Sequence, residues 1–175
     1  MQSYGFFFRY STEQRMKTYK LIALLAPLAA CSSSAQAISL AEMKERTAVI
    51  ASRYLEIWSA NNASPISGVP YMYGPTVVFY GKRYTQANLV DEKQRAIRQW
   101  PARKYLHRPG TLKIDCNAST LKCAARSTID FDVGNPSKGT SKSGSAKFDL
   151  GVSFADRHPV ILYEGGSLNS RRAGR

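Results

Sequence analysis

Two stretches in the C-terminal half of the chain alternate with a period of two. In residues 122–133, Cys123, Ala125, Ile129, Phe131 and Val133 share one parity against Lys122, Arg126, Asp130 and Asp132. In residues 145–154, Ala146, Phe148, Leu150, Val152 and Phe154 oppose Lys147, Asp149 and Ser153. Successive side chains of a strand point to opposite faces, so each stretch reads as a half-buried antiparallel strand with one apolar face. That face must be covered, and the helical patterns of the chain all precede it. Further strands are predicted at 105–108, 112–116 and 159–164, and Thr76-Val77-Val78-Phe79-Tyr80 predicts an earlier one ahead of a tight turn at Gly81-Lys82. Residues 134–144, rich in Gly and Ser with Pro136, read as a long mobile loop, and Asp156-Arg157-His158 as a tight one.

The helices carry their own punctuation. Ser39-Leu40-Ala41-Glu42 is a capping box, after which Met43, Thr47, Ile50, Tyr54, Ile57 and Trp58 recur at three- and four-residue spacing up to Asn61-Asn62. Ser64 to Pro70 is turn-rich, and Tyr71-Met72-Tyr73-Gly74-Pro75 reads as a short helical turn before another break. Thr85 caps a second long helix over 86–99, with Leu89, Ala96, Ile97 and Trp100 on its apolar face and Pro101 as its stop. Its other face is charged: Asp91 and Glu92 come early and Lys93, Arg95 and Arg98 late, the order a helix dipole favours. Helices followed by a run of strands predict an α+β domain, with N-terminal helices packed on a curved antiparallel sheet.

The N-terminal segment reads as an address. Lys17 and Lys20 precede an apolar run, Leu21 to Ala30, too short to span a membrane, and Leu28-Ala29-Ala30-Cys31 closes it. This segment resembles the signal peptides of bacterial lipoproteins, which implies lipidation of Cys31 and a domain anchored at the cell envelope. Ala35-Gln36-Ala37 is a second cleavage site, whose use would release a soluble periplasmic or secreted protein beginning at Ile38. Residues 1–15, with Phe6-Phe7-Phe8, fit no n-region, so translation is expected to start at Met16. The expected organisation is a signal peptide over 1–30, a tether over 31–38, one domain over 39–169 and a basic tail over 170–175. Roughly 140 residues remain after export, a single-domain length.

An exported chain can oxidise its thiols. Cys116 and Cys123 are separated by six residues and flanked by strand patterns, so they are expected to form a disulfide across a hairpin. His107 and His158 lack ligand spacing, and neither a metal nor a cofactor is expected.

The chain carries 25 basic and 12 acidic residues, and loss of residues 1–30, with four basic and one acidic, leaves +10. Lys93, Arg95, Arg98, Arg103, Lys104, Arg108 and Lys113 form a candidate basic patch for an anionic membrane surface or an acidic envelope protein. A solvated charged face is the plainer alternative. No nucleic-acid recognition motif is present in the sequence.

Residues Ser39 to Leu168 resemble the nuclear-transport-factor-2-like superfamily, also called SnoaL-like. The resemblance rests on the order of elements, on Val77-Val78-Phe79-Tyr80-Gly81-Lys82, on Arg98-Gln99-Trp100-Pro101-Ala102-Arg103, on Tyr105 to Pro109 and on the cysteine pair. The same stretch is similar to small domains of exported bacterial proteins. The resemblance implies a cone of sheet wrapped on helices, in a superfamily that includes isomerases, dehydratases, hydrolases, transport factors and secretion components. In the isomerases a carboxylate follows the first long strand, where this chain has Gly81, so no catalytic residue is implied here.

Candidate chemistry is correspondingly thin. Tyr54, Trp58, Tyr71, Tyr73, Tyr80, Trp100 and Tyr105 could line a cavity for a small apolar ligand, or simply form an aromatic core. Asp130 and Asp132 lie on the polar parity of their strand, and His107 and His158 lack an acid or nucleophile partner in the pattern. The expectation is an exported, lipid-anchored binding or scaffold domain without catalytic activity. The alternatives are a small-molecule enzyme or carrier using the cone interior, and a component of an envelope secretion assembly.

Overall fold

The structure is a computed structural model that describes residues 38–60 and 64–168. Helix α1 (Leu40–Trp58) starts at the expected cap, with the Ser39 hydroxyl accepting from the Glu42 amide at 3.1 Å, while the Glu42 carboxylate turns to Arg46. Its buried face is Met43, Thr47, Ala51, Tyr54, Leu55 and Trp58, so the stripe is centred on Ala51 and Leu55, with Ile50 and Ile57 at its margins. A 3-10 turn (Ser64–Gly68) leads into a one-turn α2 (Val69–Met72). Strand β1 then spans Tyr73–Phe79, starting earlier than the sequence pattern suggests and running through Gly74-Pro75.

Strand β2 (Lys82–Thr85) turns back on β1, and α3 (Gln86–Gln99) follows with the Thr85 hydroxyl capping the Asn88 amide. The remaining strands are β3 (Ala102–His107), β4 (Lys113–Asn117), β5 (Lys122–Asn135), β6 (Thr140–Ser153) and β7 (Val160–Leu168). They form one curved, open sheet in the order β2-β1-β7-β6-β5-β3, with β4 also paired to β5.

The sheet corrects the sequence reading in two places. Residues 134–144 are not a long loop: β5 and β6 stay paired out to Asn135 and Thr140, and the connection is a 3-10 turn (Pro136–Lys138) closed by Gly139 at φ +59°. Ser141, Lys142 and Ser143 look like loop residues because they are exposed, but the backbone of β5 offers them a ladder regardless of their polarity. Nor is the sheet wholly antiparallel, because β1 runs parallel to β7. Alternation within one strand carries no information about the direction of its neighbour.

The alternating strands bury most of the expected parity, with Phe131 and Ala146 left half-buried. Cys123, Ala125, Ile129, Val133, Phe148, Leu150 and Val152 all face the helices, each under 10% exposed. Directly paired across β4 and β5, Cys116 and Cys123 form the disulfide. Buried polar side chains hold the helix ends. Arg103 on β3 donates to the carbonyls of Trp58 (3.0 Å), Ala60, Trp100 (2.8 Å) and Pro101 (3.1 Å), joining the chain after α1 to the end of α3. Asn135 donates to the Arg98 and Gln99 carbonyls, so β5 satisfies the last turn of α3 as well. Among the described residues no helix is long and apolar enough to cross a membrane.

Candidate functional site

Between the two long helices and the concave face of the sheet lies a partly open cavity of about 260 Å³. Helix α1 contributes Tyr54, Leu55 and Trp58, and α3 contributes Glu92, Lys93, Ala96 and Ile97. The sheet side consists of Phe79 and Tyr80 at the end of β1, Arg103 and Tyr105 on β3, Ile129 on β5, Phe148 on β6 and Glu164 on β7. Six of these residues are aromatic, so the walls are flat and mostly apolar, the usual character of a small-molecule site.

A buried ion pair forms part of that wall. Lys93 Nζ lies 2.7 Å from Glu164 Oε1 and 2.8 Å from Oε2, with side chains 7% and 6% exposed. The ammonium also donates to the Tyr54 hydroxyl at 2.9 Å, and Tyr73 donates its hydroxyl to Glu164 Oε2 at 2.6 Å. Aromatic rings surround the cation: Nζ is 4.4 Å from the ring centre of Trp58, 4.8 Å from that of Phe79 and 5.3 Å from that of Tyr54. The register explains how Glu164 gets there, since it pairs with Leu150, a fully buried position of β6.

The electrostatics follow from burial. Desolvation lowers the Lys93 pKa, opposed by the Glu164 charge. Tyr54 and Tyr73 are held protonated far above the usual phenol value, by burial first and by the adjacent Glu164 carboxylate second. At the rim, Tyr80 is pushed up to about 12 by the same two causes in the same order, and Tyr105 is raised mainly by burial. Tyr80 sits at φ +46° and Gly81 at +81°, both left-handed, as the central residues of the tight turn between β1 and β2.

Of the aromatic residues singled out in the sequence, Tyr54, Trp58, Tyr80 and Tyr105 line the cavity. Tyr73 stands behind it on Glu164, Trp100 is half-buried at the end of α3, and Tyr71 is 77% exposed beside Arg53 and Glu56. The candidate basic patch loses two members to the interior, Lys93 to the ion pair and Arg103 to backbone carbonyls. Arg95 bonds Glu92 and Arg108 bonds Asp130, while Arg98, Lys104 and Lys113 are exposed.

Asp130 and Asp132 lie on the outer parity, away from the cavity. His107 is behind the cavity wall, with Nδ1 2.7 Å from the Ser127 hydroxyl and its ring edge-on to Phe148. Burial lowers its pKa, against a smaller upward pull from the Ala51 backbone, and Nε2 has no hydrogen bond of normal geometry. His158 is exposed, Cys31 lies outside the described residues, and no cluster among the described residues could hold a metal ion.

No family model and no curated protein matches the sequence. Solved structures do match the fold. A nuclear transport factor 2-like superfamily protein of Salmonella enterica aligns with a TM-score of 0.62 at 9% identity, over 78% of this chain and 100% of its own. A candidate dehydratase of the same family from Streptomyces avermitilis gives 0.62 at 7% identity, covering 75% and 99%. A Caulobacter vibrioides protein with a cystatin-like fold gives 0.60 at 11%, covering 74% and 92%. The chain therefore has the nuclear-transport-factor-2-like fold, and at these identities the likeness is one of fold.

Proposed function

We propose that this chain is an exported, lipid-anchored domain that binds a small, largely apolar molecule in its cone cavity and holds it without turnover. The observation that carries the binding reading is the aromatic cavity of about 260 Å³, in which Lys93 and Glu164 neutralise one another. A site of that size and lining suits a molecule of about one ring with a short substituent and no net charge. Retention without turnover follows from how the carboxylates are engaged. Glu164 already accepts from Lys93 and Tyr73, Glu92 is paired with Arg95, and no Asp or His is among the described residues lining the cavity. Export and the anchor rest on the Lys17-to-Cys31 pattern, and exposed Arg98, Lys104 and Lys113 suit an anionic surface beside such an anchor.

A second reading, a small-molecule enzyme, is favoured by Glu164 itself, a buried carboxylate reaching a partly open cavity. One experiment addresses both. The full exported chain is titrated with a panel of neutral aromatic alcohols and ketones while tryptophan fluorescence and the NMR spectrum of each ligand are followed. The binding reading expects saturable quenching, abolished by Ile129→Trp, which fills the cavity, with every ligand recovered unchanged. Conversion of a ligand would establish the enzyme instead, and no saturable quenching by any ligand would refute both. Mass spectrometry of the native protein tests the anchor: a diacylglyceryl Cys31 supports it, and an Ile38 terminus refutes it.

A further inference from the structure

We propose that Lys93 is a covalent attachment point for a small aldehyde or ketone, held in the cavity as an imine with Glu164 as its counter-ion. The proposal rests on the reading of the cavity as a small-molecule site and names the chemical class of its ligand. A wall that needed only to be apolar would be served by Leu or Met, and an ammonium taken out of water carries a desolvation penalty of several kcal/mol. Lys93 is placed with a proton acceptor 2.7 Å away, a hydroxyl 2.9 Å away and aromatic faces around it, beside enough space for a ring-sized partner. Nucleophilic lysines that form imines are arranged in this way, with the amine desolvated in an apolar pocket beside a group that can take its proton.

The chemistry balances within the residues present. A proton passes from Lys93 to Glu164, which removes both charges, and the apolar walls favour that neutral pair. The lower pKa that burial imposes on Lys93 acts in the same direction. The free amine attacks the carbonyl carbon and the C=O π bond opens onto oxygen. That oxygen takes a proton from Glu164, and the nitrogen returns one to Glu164, leaving a neutral carbinolamine. Glu164 then protonates the hydroxyl, the C–O bond breaks, water leaves and the nitrogen lone pair forms the C=N bond. The product is an iminium facing the Glu164 carboxylate, with the same net charge as the ammonium it replaces. The rings of Trp58 and Phe79 that stabilise the ammonium stabilise the iminium too. Water added back reverses the sequence, so the ligand is held and released without redox change.

The test uses the full chain with 4-methoxybenzaldehyde and sodium cyanoborohydride near neutral pH, followed by intact mass measurement and peptide mapping. In parallel, 4-methoxybenzyl alcohol, which cannot form an imine, is titrated against Trp fluorescence. The expected result is one reduced adduct, on Lys93, forming about tenfold or more faster than on any exposed lysine. Lys93→Arg, which keeps the charge without the nucleophile, is expected to lose it. Binding of the alcohol with aldehyde adducts spread over exposed lysines and none on Lys93 would overturn covalent capture and leave the binding reading standing. If the alcohol does not bind and Lys93 is not labelled, the reading of the cavity falls and this proposal falls with it. Because the mapping is done on the unaltered chain, it does not depend on any variant folding.

Discussion

Glu164→Gln is the sharpest test of the ion pair, because it changes the charge at almost constant shape. In the native chain Glu164 takes both contacts from Lys93, at 2.7 and 2.8 Å, and the Tyr73 hydroxyl at 2.6 Å. The amide keeps one acceptor oxygen and turns its NH2 toward one of two donors, so an ammonium 7% exposed is left without an ionised partner. Removing one member of a buried pair costs about 3–5 kcal/mol, because the remaining charge stays desolvated. In a domain of this size, that corresponds to a fall of roughly 10–20 °C in Tm. Removing both charges, as in Lys93→Met with Glu164→Gln, is expected to restore most of the loss, so the double variant is far more stable than the sum of the two single losses would make it. The measurement is urea unfolding of the two single variants and the double variant, followed by far-ultraviolet circular dichroism at low and at high salt. A buried pair is little screened, so the loss is expected to be the same at both. Losses below about 1 kcal/mol in the singles, or strictly additive losses in the double, would refute the placement of this pair.

The other predictions concern the disulfide, the rim, the tyrosines and one glycine. Reducing Cys116–Cys123, or replacing both residues with Ser, is expected to lower the unfolding free energy by about 2–3 kcal/mol from loop entropy, read as a shift in the urea midpoint. Tyr80→Asn is expected to stabilise the tight turn by up to about 1 kcal/mol, since Asn tolerates φ +46° better than Tyr, while weakening ligand binding at the rim. Unchanged stability together with unchanged binding would count against that role for Tyr80. Tyr54 and Tyr73 have raised folded pKa values, so their contribution is complete below the unfolded value of about 10 and is lost as pH rises from there through the folded value. Lys93, whose folded value is lowered, acts with the opposite sign, but as one group against two. Stability is therefore expected to fall above about pH 10, and Tyr54→Phe to flatten that fall in pH-dependent thermal unfolding. Gly166→Ala is expected to destabilise the β6–β7 pairing strongly, because the added Cβ would collide with the Lys147 carbonyl. A soluble variant with native Tm would contradict that contact.

Much of the architecture was legible in the sequence because its signals are local. The Ser39 and Thr85 caps, the alternation from Cys123 to Val133 and the spacing of the two cysteines act over a few residues, and the structure uses them as they stand. Four of the seven aromatic residues singled out for a cavity line it, because Tyr54 and Trp58 belong to the buried face of α1, Tyr80 sits in the turn after β1 and Tyr105 lies within β3. Tyr71 lies on a one-turn helix too short to define a face, and Trp100, which the pattern put on the apolar face of α3, is its C-terminal cap and does not reach the cavity.

Strand parity, the N-terminal caps of the two long helices and the covalent crosslink are written in the chain, because each depends on neighbours a few residues apart. The sequence could not supply the polar floor of the cavity. Lys93 sits on α3 among Asp91, Glu92 and Arg95, and a charged helical face is read as solvated unless a partner is known. That partner is 71 residues away, and only the pairing of β7 with β6, which sets Glu164 opposite Leu150, carries it inward. Burial of a charge is decided by whether an opposite charge and hydrogen-bond partners meet it in space, and strand register, not periodicity, settles that meeting.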